Sequence, residues 1–191
     1  MILETGIAYL CGSVPFGLLL SNYFGNGKLR SSGSGNIGAT NVVRTQGKVL
    51  GGLTFLLDGL KGIIPLLIFK NESPVVLFAA AVLGHMFSVW LKFKGGKGIS
   101  TFFGGLLAIS PLTSIISMLV WLSVFLMTKI SSLSGLIAIF VGSLIFAYNN
   151  HEYYNIYEWT VFSIVPICIF IKHHDNILRL IKGEENRIAK E

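Results

Sequence analysis

The chain has 191 residues and a formal net charge of +6, yet only 13% of its residues are charged and 52% are hydrophobic. A soluble domain carries about 25% charged residues. With a mean hydropathy of +0.70, the composition excludes a soluble basic domain that binds nucleic acid and points to one integral membrane domain over residues 1–191, its positive charge turned toward anionic headgroups or substrates.

The first apolar segment, 5–24, has no Lys or Arg before it and carries Glu4. It lacks the basic start of a cleavable signal and reads as a first membrane span. The following loop, 25–48, holds Lys28, Arg30, Arg44 and Lys48. A second apolar segment, 49–69, contains Asp58 and Lys61 three positions apart. Charges inside a span are functional candidates by default, and an ion pair that holds helices together accounts for them equally well. The third segment, 74–91, contains His85, expected to be buried and hydrogen-bonded. Loop 92–97 holds Lys92, Lys94 and Lys97.

The stretch 99–127 is too long for one crossing and is interrupted at Ser110-Pro111. Proline breaks a helix there, so a short helix over 99–110 and a full span over 112–127 are expected. Segments 133–149 and 156–171 follow, then a tail with Lys172, Arg179, Lys182, Arg187 and Lys190. In that tail Ile177, Leu178, Leu180 and Ile181 share a helical face, which predicts a short helix lying on the membrane surface. Cys11 and Cys168 lie inside apolar spans with no disulfide or zinc spacing.

The fold class is therefore an all-α polytopic membrane protein with about seven transmembrane helices, one of them short, near 99–110. Basic residues favour the cytoplasmic side. Seven spans with the N-terminus outside and the C-terminus cytoplasmic put every Lys and Arg except Lys61 and Lys70 inside; six spans leave the tail opposite the first two loops. The short helix, at ~18 Å against a hydrocarbon core of ~30 Å, is a partial span.

Two glycine-rich cationic loops carry the chemistry. The first runs Gly33-Ser34-Gly35-Asn36-Ile37-Gly38-Ala39-Thr40-Asn41-Val42-Val43-Arg44, and the second Lys92-Phe93-Lys94-Gly95-Gly96-Lys97-Gly98-Ile99-Ser100-Thr101. Backbone N–H groups bare of side chains, small hydroxyl and amide donors and fixed positive charge suit an anion, phosphate above all. Gly33 to Gly38 spells G-x-G-x-x-G, but it follows a membrane helix and not a strand, so it is no dinucleotide fingerprint. Leu91 and Gly98 stand where a phosphate-binding P-loop needs Gly and Ser or Thr. Arg44 has the fork for two phosphate oxygens, while Lys97 is a point charge. After the last span, His173 and Asn176 fall three apart on one face, and adjacent His173 and His174 point apart, which disfavours a metal site.

Together these segments resemble the PlsY family, the acyl-phosphate:glycerol-3-phosphate acyltransferases of bacterial membranes. The resemblance rests on Gly33 through Arg44, on Gly84-His85-Met86-Phe87-Ser88-Val89-Trp90-Leu91-Lys92-Phe93-Lys94-Gly95-Gly96-Lys97-Gly98, and on His173-His174-Asp175-Asn176-Ile177 through Gly183-Glu184-Glu185. Lesser echoes are Gly12-Ser13-Val14-Pro15-Phe16-Gly17 and Asp58-Gly59-Leu60-Lys61-Gly62. It implies seven helices in the bacterial inner membrane and an active site facing the cytoplasm. The implied reaction moves a fatty acyl group from acyl phosphate to glycerol 3-phosphate, giving lysophosphatidic acid and phosphate, with no metal or cofactor and no obligate protein partner.

Catalytic roles are implied for Ser34, Arg44, Lys97, His173 and Asn176. Substrate contacts are implied for Gly33, Gly35, Asn36, Gly38, Thr40 and Asn41 in the first loop, and for Lys94, Gly95, Gly96 and Gly98 in the second. Family members often have a serine that aligns with Gly135, and Ser132 or Ser134 is the candidate replacement here. Ser88 stands where the family usually has proline, and Lys172 and His174 replace commoner arginines. Acyl phosphate is already activated, and no nucleophile is legible: neither cysteine is near the motifs, and no His-x4-Asp dyad occurs. Positioning and electrostatics remain. The substrate's own phosphate is expected to take the proton, with His173 donating to a substrate oxygen beside Asn176; His173 as general base is the competing account. A small membrane transporter or channel for phosphate-type anions is the alternative from another class, and cation-poor outer loops argue against it.

Overall fold

The computed structural model describes residues 2–188; Lys190 lies outside them. Among the described residues all regular structure is helical. In chain order the helices are α1 (Ile2–Ser13), α2 (Phe16–Phe24), α3 (Ala39–Gln46), α4 (Lys48–Ile68), α5 (Pro74–Met86), α6 (Ile99–Ile109), α7 (Pro111–Thr128), α8 (Ser131–Asn150), α9 (Ile156–Lys172) and α10 (His174–Ile181).

Prolines set several boundaries. The segment read as one span over 5–24 is broken at Val14-Pro15 into α1 and α2. Pro15 offers no N–H to continue the ladder, and it biases Val14 away from helical backbone. The Val14 carbonyl at the break accepts from Lys61 Nζ at 2.7 Å, so a buried cation covers it. At the predicted Ser110-Pro111 boundary, α6 ends at Ile109 and Pro111 opens α7.

Five elements are long and apolar enough to cross a membrane: Ile2–Phe24 taken through its break, Lys48–Ile68, Pro74–Leu91, Pro111–Thr128 and Ser131–Asn150. α9 passes the same test only when counted together with α10, from which it is bent by 55°, and α6 is a shorter apolar helix. The helix expected in the tail is α10, with Leu178 and Ile181 exposed.

α5 is the central helix, buried at almost every position from Val75 to Met86 and packed against α1, α4, α6 and α9. Phe78 meets Phe102 of α6 edge-on at 5.3 Å and stacks on Phe162 of α9 at 5.8 Å. Lipid tails are as apolar as these side chains, so close backbone approach and packing hold the bundle. A Cβ on Gly12 would stand 2.0 Å from the Ala81 carbonyl oxygen in the α1–α5 contact. One on Gly104 would stand 2.0 Å from the Gly59 carbonyl oxygen between α4 and α6. Neither position accepts even a methyl group. This packing brings the N-termini of α3, α6 and α8 around one cleft.

Candidate active site

The cleft has a volume of about 580 Å³. Ser34, Arg44, Lys97, His173 and Asn176 all line it, although they come from positions up to 142 apart in sequence. Phe55, Phe103, Met118, Trp121 and Phe125 form its apolar wall. That wall continues into a smaller hollow of about 120 Å³ between α4, α6 and α7, which shares Phe55, Ser100, Phe103 and Met118 with the cleft.

The first loop is organised by Asn41, which is buried at the start of α3. Its Nδ2 lies within hydrogen-bonding distance of the carbonyls of Leu29 (3.2 Å), Ser32 (3.1 Å) and Asn36 (2.8 Å). Its Oδ1 accepts from the Ser34 N–H at 2.9 Å. Asn41 therefore builds the loop that presents Ser34. One helical turn on, Arg44 reaches the cleft and makes no hydrogen bond or ion pair among the described residues. Its guanidinium fork is open to an anion. Thr40 Oγ1 and Ser131 Oγ, 2.8 Å apart, tie the start of α3 to the start of α8.

The second loop folds back on the end of α5. Gly95 N–H donates to the Met86 carbonyl (3.2 Å) and Gly96 N–H to the His85 carbonyl (3.0 Å). Arg30 Nη2 donates to the Lys94 carbonyl at 2.6 Å, joining the two loops. Gly98 then caps α6 at φ +86°, a left-handed backbone that favours glycine.

One expectation needs correction. The loop N–H groups read as a phosphate cradle are largely used inside the protein: Ser34 on Asn41, Gly35 on the Ser32 carbonyl, Gly38 on Asn36 Oδ1, and Gly95 and Gly96 on α5. The donors left over are helix ends. Ala39 and Thr40 open α3, Ile99 and Ser100 open α6, and Ser131 and Ser132 open α8, and all six line the cleft. No side chain caps any of these three helices. The first N–H groups of a helix have no intrahelical partner and carry a partial positive charge. Three such ends beside Arg44, Lys48 and Lys97 suit phosphate oxygens.

The cations are held in order by a residue that sequence reasoning did not place in the site. Lys97 Nζ donates to Asn176 Oδ1, and Asn176 Nδ2 donates to Glu185 Oε1 at 2.7 Å. Arg179 Nε donates to Glu185 Oε2 at 2.7 Å, and Ser132 Oγ to Glu185 Oε1 at 3.1 Å. The tail thus returns over the cleft after α10, and the Ile188 N–H pins it to the Lys129 carbonyl at 2.9 Å. Burial pushes the Lys97 ammonium down to about 8, against the pull of the Glu185 carboxylate.

His173, at the bend between α9 and α10, is buried. Burial, and then the Lys97 cation, push its imidazolium down to about 4, so the ring is neutral at physiological pH. Its Nδ1 lies 2.8 Å from the Ile169 carbonyl. A carbonyl only accepts, so the neutral ring carries its hydrogen on Nδ1 and keeps Nε2 as an acceptor. The neutral tautomer that fits this contact leaves Nε2 an acceptor, where the sequence reading expected a donor to a substrate oxygen.

Of the remaining candidates, Asn36, Gly38, Thr40, Asn41, Gly98 and Ser132 line the cleft. Gly33, Gly35, Lys94, Gly95 and Gly96 stand outside its lining and shape the loops behind it. Ser134 is buried with its hydroxyl on the Ile130 carbonyl at 2.7 Å, so Ser132 is the serine at the site. His85 is buried as expected, but its Nδ1 has no hydrogen-bond partner among the described residues. Sequence reasoning missed Glu185 and Arg179 as site residues; the Gly183-Glu184-Glu185 turn was the one local signal.

A family model described as "Glycerol-3-phosphate acyltransferase" matches residues 2–183. A glycerol-3-phosphate acyltransferase of Bartonella henselae is 44% identical over 191 residues, covering 96% of this chain and 89% of the relative. One of Ehrlichia chaffeensis is 43% identical over 188 residues, covering 95% and 93%. Among solved structures, the glycerol 3-phosphate form of the integral membrane glycerol 3-phosphate acyltransferase PlsY (YgiH) superposes with a TM-score of 0.90 at 38% identity, covering 98% of this chain and 95% of that one. Its lysophosphatidic acid form superposes with a TM-score of 0.88 at 37% identity.

Proposed function

The chain belongs to the PlsY family of glycerol-3-phosphate acyltransferases, and from that membership we propose that it transfers a fatty acyl group from acyl phosphate to the 1-hydroxyl of sn-glycerol 3-phosphate. The products are lysophosphatidic acid and inorganic phosphate. The observation that carries this reading is the pairing of functions in one cleft: cations and three uncapped helix N-termini suit two phosphates, and a wall of Phe55, Phe103, Met118, Trp121 and Phe125 suits an acyl chain.

In this mechanism the 1-hydroxyl oxygen attacks the acyl carbonyl carbon, the new ester C–O bond forms, and the bond from that carbon to the bridging oxygen breaks. Phosphate leaves with both electrons of that bond. The hydroxyl proton passes to a phosphate oxygen of the substrates. A phosphate monoester with a second pKa near ~6 is a better proton acceptor at neutral pH than His173, held at about 4. His173 Nε2 instead accepts a hydrogen bond from the other glycerol hydroxyl and aligns the nucleophile. Arg44 holds one phosphate through its fork, and Lys97, oriented by Asn176, offsets the repulsion between the two. Ser34, Ser132 and the helix ends supply the remaining donors.

One domain carries all of this. The excess of Lys and Arg in the loops around the cleft supports a site facing the cytoplasm with the N-terminus outside, and family membership supports the bacterial inner membrane. The test is to supply the purified protein with acyl phosphate and glycerol 3-phosphate. Lysophosphatidic acid and phosphate should form in equal amounts. Phosphate release without acylated product, or no reaction, would overturn the reading.

A further inference from the structure

A buried polar cluster lies outside this mechanism. Asp58 and Lys61 on α4 and His85 on α5 are 1%, 2% and 4% exposed. Lys61 is satisfied: its Nζ is 2.8 Å from Asp58 Oδ1 and donates to the Val14 carbonyl. His85 is different. Its Nδ1 stands 3.7 Å from Asp58 Oδ1, beyond hydrogen-bond length, and has no hydrogen-bond partner among the described residues. Both Asp58 and His85 line the cleft. Tying α4 to α5 is work that an apolar pair does as well or better at a buried position.

The other edge of the ring points to a more specific role. A Cβ on Gly96 would stand 2.2 Å from His85 Nε2, so the imidazole occupies the space that a side chain at position 96 would take. The backbone carbonyl of His85 meanwhile accepts the Gly96 N–H. His85 therefore holds Gly96 by its ring and by its backbone, and the next residue is Lys97. Gly96 has no left-handed φ, so it is the ring, and not the backbone conformation, that requires glycine there.

Resting on the reading of Lys97 as a phosphate ligand, we propose that Asp58 and His85 are positioning residues for Lys97. Lys61 fixes Asp58, the Asp58 carboxylate sets a negative charge 3.7 Å from the Nδ1 edge of the ring, and the ring braces Gly96 so that Lys97 enters the cleft at the start of α6.

The test uses the purified full chain and measures glycerol 3-phosphate binding by calorimetry beside turnover. His85→Ala should weaken glycerol 3-phosphate binding roughly tenfold, the scale of a coupling between residues in contact, with a smaller fall in kcat. Adding Asp58→Asn to His85→Ala should cost nothing more, because Asp58 acts through the ring. The decisive variant is a suppressor. Gly96→Ala should bind poorly because its methyl group collides with the ring, and His85→Ala in that background should restore binding by removing the collision. A role confined to helix packing predicts instead that His85→Ala lowers the thermal unfolding midpoint and leaves the glycerol 3-phosphate Kd of the folded protein unchanged. Losses that add up, or a double variant weaker than Gly96→Ala alone, would overturn the proposal. Failure of the unsubstituted protein to bind glycerol 3-phosphate would instead sink the functional reading beneath it.

Discussion

Raising the pH from 7 to 9 should weaken glycerol 3-phosphate binding through one residue. Lys97 titrates at about 8 because burial disfavours its charged form, and Glu185 only partly offsets that. The useful state is the cation, so affinity is present below this value and lost above it. From that value, ~90% of Lys97 is charged at pH 7 and ~10% at pH 9, and Kd should rise about tenfold; an unshifted lysine near ~10.4 stays charged throughout. The ligand does not confound the result, because its phosphate, with a second pKa near ~6, is already dianionic across the range. Calorimetric titrations at pH 7, 8 and 9 measure Kd, and repeating the pH 9 titration in buffers of different ionisation enthalpy should reveal uptake of nearly one proton. Lys97→Arg keeps its charge at pH 9 and should flatten the profile. A Kd constant from pH 7 to 9, or an unchanged limb in Lys97→Arg, would refute the assignment of Lys97 as the phosphate's cation.

Three further outcomes follow from the same geometry. Arg44→Lys keeps the charge but loses the open fork, so kcat/KM should fall about 10–100-fold, the size of a lost charge-assisted hydrogen bond of ~1.5–3 kcal/mol; near-normal kinetics would show that the fork is not used. In His173→Gln the amide oxygen can stand where Nε2 accepts. That variant should retain measurable turnover with an acidic limb near ~6 set by phosphate, whereas a limb near 4 that vanishes on substitution would make His173 the base. Intact-protein mass spectrometry during turnover should show no acyl adduct, and a chelator should leave the rate unchanged, because in the proposed reaction the donor is already activated and is attacked directly; a trapped acyl-protein would require a two-step reaction.

The main residues of the candidate site could be picked out because they are chemically conspicuous in an apolar chain. Arg44, Lys97, His173 and Asn176 stand at the ends of apolar segments, and the structure brings all four to one cleft. The Ser110-Pro111 boundary was legible because proline acts locally. The break at Pro15 carried the same signal, but continuous apolar residues on both sides masked it. What local pattern does not contain is which donors remain free after folding. The glycine-loop N–H groups turn inward because Asn41 and the end of α5 offer acceptors for them, and those partners lie beyond the loop's own sequence window. The helix ends that replace them converge only through packing. Glu185 was hidden for the same reason: in a hydrophilic tail it reads as a solvated charge, and only the return of that tail sets it against Asn176, Arg179 and Ser132.

The central claim is direct transfer of the acyl group from acyl phosphate to the glycerol 3-phosphate hydroxyl within one cleft. Acyl phosphate carrying ¹⁸O in its bridging position, mixed with purified protein and glycerol 3-phosphate, tests it in one mass-spectrometric measurement. The account predicts that all of the label leaves in inorganic phosphate and that the lysophosphatidic acid ester is unlabelled, because the ester oxygen comes from glycerol. Labelled fatty acid in place of an acylated product, or lysophosphatidic acid formed only when an acyl thioester replaces acyl phosphate, would contradict it.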